Sequence, residues 1–217
     1  GRADALSTGL LDRLTLDDQR VRALAAAVRD VAELPDPVGR VLDERVLPNG
    51  LHLQKVSVPF GVIGSIYEAR PNVTVDIAAL ALRSGNAVVL RGGSAAQSSN
   101  AALISVMRGA LAEAGVDPEA IQTVDDFGRD GARALMRARG LVDVLVPRGS
   151  AQLIETVVTE SSVPVIETGA GVVHIVLDES APLEWATDIA VNAKVQRPSG
   201  CNAVETLLVH RGAAERL

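Results

Sequence analysis

The spacing of apolar residues changes along the chain. In 14–34, Leu, Val and Ala recur at helical spacing, which predicts a helix capped by Thr15 and stopped by Pro35-Asp36-Pro37. Segments 38–47 and 51–58 then have the character of strands, and the Pro-Asn-Gly sequence between them predicts a β-hairpin.

From residue 60 onward, short apolar strands alternate with helices. The predicted strands are 61–67, 87–90, 121–124, 142–146, 163–167 and 172–177. The predicted helices are 72–83, 95–114, 128–138, 151–160 and 183–194. This alternation predicts an α/β fold with a parallel sheet. Ligands of such sheets bind beyond the carboxyl ends of the strands, which selects the loops after residues 67, 90, 146 and 166.

Composition excludes several classes of protein. The chain has 217 residues, of which 47% are hydrophobic and 2% aromatic, and its net charge is −6. Few aromatic residues and a negative charge argue against nucleic-acid binding. Apolar runs all fall short of the roughly 18 residues that a membrane-spanning helix needs. A single cysteine cannot form an internal disulfide, which favours a reducing cytoplasm.

The single cysteine, Cys201, lies among basic residues, turn formers and amides instead of in an apolar run. Lys194 and Arg197 precede it, and nearby cations favour the thiolate, which is the nucleophilic form of cysteine. Lys194 is also one of only two lysines in the chain. The alternative is a structural cysteine beside a solvated helix end.

Two predicted loops combine an arginine with glycine and serine. They are Arg91-Gly92-Gly93-Ser94 and Arg148-Gly149-Ser150, and each comes after a strand and before a helix. Glycine permits close approach of the backbone, and the N–H groups at a helix N-terminus attract phosphate. Together they indicate a dinucleotide site, while ordinary glycine turns remain the alternative for each.

Three polar side chains follow other strands. Asn72 either caps the helix that it begins or donates its amide to an oxyanion, and Arg70 beside it suits an anionic substrate group. Glu167 is predicted to end a buried strand, where a carboxylate is costly unless it is hydrogen-bonded or functional. The three histidines are not spaced as metal ligands, so no metal is expected.

Four collinear motifs resemble the gamma-glutamyl phosphate reductases, a family of the aldehyde dehydrogenase superfamily. They are 58–64 (VPFGVIG), 67–76 (YEARPNVTVD), 84–94 (SGNAVVLRGGS) and 196–203 (QRPSGCNA). The resemblance covers essentially the whole chain. It implies an aldehyde-dehydrogenase-like fold in which a Rossmann-type parallel sheet carries helices on both faces, with the hairpin in the oligomerisation region.

The resemblance also implies a reaction. The family reduces L-glutamyl 5-phosphate with NADPH, which yields glutamate 5-semialdehyde, NADP+ and phosphate in the second step of proline synthesis. By matched position Cys201 is the nucleophile that forms a thioester, and the Cys201 N–H and the Asn72 amide are the oxyanion donors. Glu167 matches the position that activates water in oxidative members, which a phosphate-releasing reductase does not need, so its role stays open between hydrogen bonding and proton transfer.

Ligand contacts are assigned on the same basis. Arg91-Gly92-Gly93-Ser94 would face the adenosine end of NADPH, with Arg91 near its 2′-phosphate, and Arg148-Gly149-Ser150 would lie near the pyrophosphate. By their charge and their proximity in the motif, and not by matched position, Arg70, Lys194 and Arg197 are the candidates for binding the phosphate of the substrate. One departure from the family is Gly171-Val172-Val173-His174, where members usually read Gly-Asn-Cys-His.

Family members extend beyond both ends of this sequence, so we expect a fragment with little or no turnover by itself. Residues 1–178 are predicted to form the cofactor-binding domain and 179–217 the start of the catalytic domain. The full-length protein is expected to be a homo-oligomer, and the resemblance leaves open glutamate 5-kinase as a partner or a fused domain. The alternatives are another acylating aldehyde dehydrogenase, which uses a coenzyme A thioester, and a non-catalytic nucleotide-binding module.

Overall fold

A computed structural model describes residues 8–68, 70–167, 169, 171–198 and 200–216. The chain divides into two compact units, Gly1–Thr168 and Gly169–Leu217. The predicted functional domains, 1–178 and 179–217, stay a prediction.

Two helices begin the first unit, α1 (Thr8–Leu14) and α2 (Asp18–Glu33). The Oδ1 atom of Asp17 accepts a hydrogen bond of 2.8 Å from the backbone N–H of Arg20, so Asp17 caps α2. The prediction of one helix capped by Thr15 is therefore wrong at this end. The Thr15 hydroxyl instead donates to the carbonyl of Leu11 in the preceding helix.

The predicted hairpin is confirmed. Strands β1 (Val41–Val46) and β2 (His52–Val56) pair in antiparallel fashion. Gly50 adopts a φ of 85° in the turn between them, a conformation that favours glycine. Every residue of both strands is exposed.

The sheet of the first unit has four parallel strands, as the alternating pattern predicts. They are β3 (Val62–Tyr67), β4 (Ala87–Arg91), β5 (Ile121–Thr123) and β6 (Val144–Arg148), in the order β5-β4-β3-β6. The helices that follow them in turn are α3 (Pro71–Arg83), α4 (Gln97–Glu113), α5 (Gly128–Met136) and α6 (Ala151–Glu160). The chain crosses from one edge of the sheet to the other between β5 and β6.

Separate hydrophobic cores cover the two faces of this sheet, because side chains alternate along each strand. Tyr67 of β3 packs with residues of α3 and α4, including Ala78 and Ile104. Its neighbour Ile66 packs on the other face with residues of α5 and α6, including Leu135 and Val157. The predicted arrangement of helices on both faces is thus confirmed.

The predicted strand at 163–167 is wrong. This segment lies beside β6 and forms only an isolated bridge, between Val165 and Leu145. Leu145 donates to the carbonyl of Pro164 and accepts from the N–H of Ile166. Pro164 has no N–H to extend the ladder, which limits the pairing to this short stretch.

Among its described residues, the second unit contains a parallel pair of strands, one α-helix and a short 3-10 turn, Arg211–Ala213. Strands β7 (His174–Leu177) and β8 (Thr206–Val209) pair in register, and α7 (Leu183–Val195) connects them. The turn between α7 and β8 carries the single cysteine.

Candidate active site

The carboxyl edge of the first unit's sheet contains a topological switch point. The connection after β3 leads to β4 on one side, whereas β6 pairs with β3 on the other side. Ligands of open α/β sheets bind in the crevice at such a point. The loops that leave β3 and β6 there are the ones that carry Asn72 and Arg148.

Asn72 lies in the first turn of α3 without capping it. Arg70 is the residue at the N-cap and Pro71 begins the helix, where its missing N–H costs no intrahelical bond. The Nδ2 atom of Asn72 donates to Oδ2 of Asp76, one turn further on, at 3.1 Å. The capping interpretation of Asn72 is therefore wrong, and its exposed amide is available for another role.

Asp76 is half-buried beneath this amide. Burial raises the pKa of Asp76, while the hydrogen bond from Asn72 and the positive charge of Arg148 partly oppose the rise. Arg148 ends β6, so Asp76 lies between the two loops that leave the switch point. Asp76 was not among the predicted site residues, although its four-residue spacing from Asn72 is a detectable signal.

The loop after β6 is joined to the loop after β3. The hydroxyl of Ser150 caps α6 by accepting from the N–H of Leu153 at 3.4 Å, and it donates to Oε1 of Glu68 at 2.7 Å. A Cβ atom at Gly149 would lie 2.7 Å from Cδ of Glu68. Gly149 is thus needed for the Glu68 side chain to lie over the start of α6.

The loop after β4 is held in place by a hydrogen bond to Asp125. The N–H of Gly92 donates to Oδ1 of Asp125 at 2.7 Å, and Nε of Arg91 donates to the carbonyl of Gly128 at 3.3 Å. Ser94 then begins a single 3-10 turn that leads into α4, and Gly93 precedes it. The loop is therefore held against the segment after β5 instead of being an unconstrained glycine turn.

A buried polar chain connects this loop to α3. The hydroxyls of Tyr67 and Thr74 lie 2.7 Å apart, the Thr74 hydroxyl donates to Oδ1 of Asn100 at 2.9 Å, and Nδ2 of Asn100 donates to Oδ2 of Asp125 at 3.1 Å. Thr74 and Asn100 are fully buried. Burial also raises the pKa of Tyr67, which keeps the phenol protonated. The sequence did not predict these hydrogen bonds, since Thr74, Asn100 and Asp125 are far apart in it.

In the second unit, Cys201 is exposed in the turn after α7. Two bonds define this turn: the N–H of Gly200 donates to the carbonyl of Arg197 at 2.9 Å, and Nζ of Lys194 donates to the carbonyl of Val204 at 2.9 Å. Lys194 thus joins the end of α7 to the segment that enters β8. The remaining N–H groups of its ammonium can still bind an anion.

Glu167 does not occupy the environment that the sequence suggests. It is exposed and follows the short bridge at Val165, so the argument from a costly buried carboxylate does not apply. The structure thus places Asn72 in the first turn of α3, and Arg91 and Arg148 at the ends of β4 and β6, at the carboxyl edge of the first unit's sheet. It gathers Lys194, Arg197 and Cys201 at one turn of the second unit.

The residues of the first unit fit an anionic dinucleotide. Arg91 and Arg148 supply positive charge, and Ser150 caps the start of a helix of ten residues. Within the described residues, three or more His, Cys, Asp or Glu side chains are nowhere grouped to hold a metal ion. The described helices include none with the length and apolar character needed to cross a membrane.

The sequence matches the model of the aldehyde dehydrogenase family over residues 14–217, so the chain belongs to this family. It is similar to the gamma-glutamyl phosphate reductase of Leifsonia xyli, with 66% identity over 100% of this chain and 52% of that protein. It is 69% identical to the gamma-glutamyl phosphate reductase of Clavibacter michiganensis over 100% of this chain and 50% of that protein. The resemblance drawn from the motifs is confirmed, and the chain spans about half the length of these curated relatives.

A solved structure agrees with both the sequence similarity and the fold. The crystal structure of gamma-glutamyl phosphate reductase from Thermotoga maritima superimposes with a TM-score of 0.87 and 44% sequence identity. The match covers 99% of this chain and 52% of the Thermotoga chain. The aldehyde-dehydrogenase-like α/β fold expected from the motifs is confirmed.

Proposed function

We propose that the protein carrying this chain reduces L-glutamyl 5-phosphate to L-glutamate 5-semialdehyde and phosphate with NADPH, the second step of proline synthesis. The observation that carries the proposal is the similarity of the whole chain to proteins named gamma-glutamyl phosphate reductase. The exposed cysteine beside two basic residues supports it chemically. The proposed location is the cytoplasm.

Cys201 is the proposed nucleophile. Its thiolate attacks the acyl carbon of the substrate, a C–S bond forms, and the C–O bond to phosphate breaks. When bound, NADPH would supply the hydride for reduction of the resulting thioester carbonyl. The tetrahedral oxyanion then collapses, which returns the electron pair of the C–S bond to the Cys201 sulfur and releases the aldehyde. Phosphate is the leaving group, so Glu167 has no water to activate and is assigned to hydrogen bonding or proton transfer.

Two donors are proposed for the oxyanion, the Cys201 N–H and the Asn72 amide. A well-placed donor of this kind contributes about 3 kcal/mol to the stability of the transition state. Asn72 suits the role because its amide is exposed at the start of α3. Arg70, Lys194 and Arg197 are the proposed ligands of the substrate phosphate, since charge-assisted hydrogen bonds from cations neutralise a leaving phosphate.

The cofactor is assigned to the carboxyl edge of the first unit. Arg91-Gly92-Gly93-Ser94 would hold the adenosine end, with Arg91 toward the 2′-phosphate, and Arg148-Gly149-Ser150 would hold the pyrophosphate. The positive charge of Arg148 and the start of a ten-residue helix at Ser150 support this assignment. The first unit would thus serve as the cofactor-binding domain, and the whole protein is proposed to form a homo-oligomer supplied by a glutamate 5-kinase.

The test uses the full-length protein that carries this chain. Glutamyl phosphate is generated in situ from glutamate, ATP and a glutamate kinase, and both NADPH oxidation and phosphate release are followed for the wild type and Cys201→Ala. We expect equal amounts of NADP+ and phosphate from the wild type and no turnover from the variant. Fluorescence titration with NADPH is the control, because the variant should bind the cofactor with unchanged affinity.

Each other outcome has a definite meaning. Turnover that survives Cys201→Ala removes Cys201 from the mechanism. Oxidation of NADPH with an acyl-coenzyme A substrate, and none with glutamyl phosphate, would make the protein a different acylating aldehyde dehydrogenase. NADPH binding without turnover on either substrate would indicate a nucleotide-binding protein that has lost catalysis.

A further inference from the structure

The side-chain amide of Asn72 has two ends with opposite effects on an oxyanion. Its Nδ2 donates two N–H bonds, whereas its Oδ1 only accepts and would repel a developing negative charge. The two orientations have nearly the same shape, so neighbouring groups decide which end faces the substrate. An exposed amide without such a neighbour would present both ends.

Asp76 is the neighbouring group that favours one orientation of the Asn72 amide. An ionised carboxylate only accepts hydrogen bonds, so it binds Nδ2 of Asn72, at 3.1 Å, and rejects Oδ1. The residues are four apart on α3, which places their side chains on one face of the helix. One N–H of the amide is used by this bond, and the second N–H of the same nitrogen remains for a ligand.

The surroundings of Asp76 argue against an incidental surface pair. Asn72 is exposed, whereas Asp76 is half-buried in an environment that raises its pKa. A charged group in such a place costs stability that an amide or apolar residue there would not cost. Arg148 of β6 is the cation whose charge favours the ionised form of Asp76, which keeps the carboxylate an acceptor.

We propose that Asp76 is a positioning residue that holds the Asn72 amide with an N–H directed toward the acyl oxygen of the substrate. The inference rests on the proposed function, in which Asn72 is an oxyanion donor. Asp76 itself touches neither substrate nor cofactor and acts only through Asn72. Its effect is on orientation, so it should change the turnover number and leave cofactor binding intact.

The test is a double-mutant cycle in the full-length protein, with Asn72→Ala, Asp76→Asn and the double variant. Asparagine at position 76 has the shape of aspartate but no longer rejects either end of the Asn72 amide. We expect Asn72→Ala to lower kcat about 100-fold and Asp76→Asn about tenfold, with the NADPH dissociation constant unchanged in both. In the Asn72→Ala background, Asp76→Asn should have no further effect on kcat.

Two further variants separate positioning from folding. Asp76→Glu keeps an acceptor-only carboxylate within reach and should recover most of the turnover lost in Asp76→Asn. Asp130→Asn removes an exposed carboxylate of α5, which pairs with Arg133 at 3.5 Å, and should leave kcat unchanged. Thermal unfolding of every variant checks that a change in kcat does not arise from loss of structure.

The roles of Asn72 and Asp76 are distinguished by which variant loses turnover. If Asn72→Ala turns over like the wild type, the proposed oxyanion role of Asn72 is wrong. If Asn72→Ala loses turnover but Asp76→Asn does not, the positioning role of Asp76 is overturned while the proposed function stands. An equal loss from Asp76→Asn with and without Asn72 would also overturn it, because Asp76 would then act independently of the amide.

Discussion

Gly92 is a position where a single methyl group should disrupt buried hydrogen bonds. A Cβ atom there would lie 2.1 Å from Nδ2 of Asn100 and 3.2 Å from Cε2 of Tyr67. The φ angle of Gly92 is one that alanine adopts, so the cost of Gly92→Ala comes from space and not from backbone strain. The Asn100 side chain must move, and it is held on one side by Thr74 and on the other by Asp125.

The magnitude follows from those two bonds. Each buried polar group that loses its partner costs about 1–3 kcal/mol, and the displacement breaks two bonds among fully or partly buried atoms. We therefore expect Gly92→Ala to lower the free energy of unfolding by about 3 kcal/mol. The assay is urea denaturation of the full-length protein, followed by circular dichroism. The unfolding free energies of wild type and variant are compared with the same dependence of free energy on urea concentration.

Gly109→Ala is the matched control. Gly109 lies inside α4, and a Cβ atom there meets nothing within 4 Å. Alanine in a helix interior is better than glycine by about 0.5–1 kcal/mol, so this variant should be slightly more stable than the wild type. Equal unfolding free energies for the two variants would refute the reasoning, because Asn100 would then have room to move at no cost.

Three other changes have defined outcomes. Gly61→Ala should lower the unfolding free energy by about 3 kcal/mol in urea, because φ is +115° and the new Cβ would lie 2.3 Å from Oδ2 of Asp143. The pKa of Asp36 is lowered, chiefly by a hydrogen bond from the backbone N–H two residues on. The ionised Asp36 carboxylate therefore stabilises the fold fully above its ordinary pKa, near 4, and this stabilisation is lost as pH falls through the lowered pKa. The difference in unfolding midpoint between the wild type and Asp36→Asn should accordingly shrink from pH ~6 to pH ~3. Lys194→Met removes the 2.9 Å bond to the carbonyl of Val204 and should cost about 1 kcal/mol in urea.

Each of these three variants has a control variant measured in the same assay. Gly109→Ala serves again for Gly61→Ala, and similar stabilities would contradict the predicted clash. Gly109→Ala changes no titratable group and should show the same difference from wild type at both pH values, so a matching decline there would mean that Asp36 is not the cause. Lys55→Met removes the other lysine, which lies in the exposed strand β2, and a loss as large as that of Lys194→Met would mean that general charge loss is responsible.

The sequence predicted what depends on local periodicity and turn chemistry. The hairpin, the four paired parallel strands and the helices after them were visible because apolar spacing and Pro or Gly punctuation act over a few residues. The cap of α2 was misplaced because Thr15 and Asp17 are both good capping residues, and the hydrogen bond to Arg20 distinguishes them only in three dimensions. The predicted strand at 163–167 was wrong because the apolar run was weighed above Pro164, which has no N–H to extend the ladder.

The candidate site likewise contains residues that local motifs identified and contacts that they did not. Motifs identified Asn72 and the Arg148 loop, because their residue types are unusual after a strand. Sequence spacing did not identify Asn100 as the partner of Asp125, since 25 residues separate them. Contacts of this kind arise from the crossing of elements over the sheet, and no local pattern encodes them.

The buried polar chain from Tyr67 to Asp125 determines which residues of the loop after β4 tolerate substitution. Arg91 lies outside the chain, with its guanidinium bonded only through Nε to the carbonyl of Gly128 among the described contacts. Gly92, one residue later, is tied through Asp125 and Asn100 to the first turns of α3. A substitution at position 91 should therefore leave these buried hydrogen bonds intact. The neighbouring glycine must be kept, because the same hydrogen bonds that shape the loop after β4 also support the helix that carries Asn72.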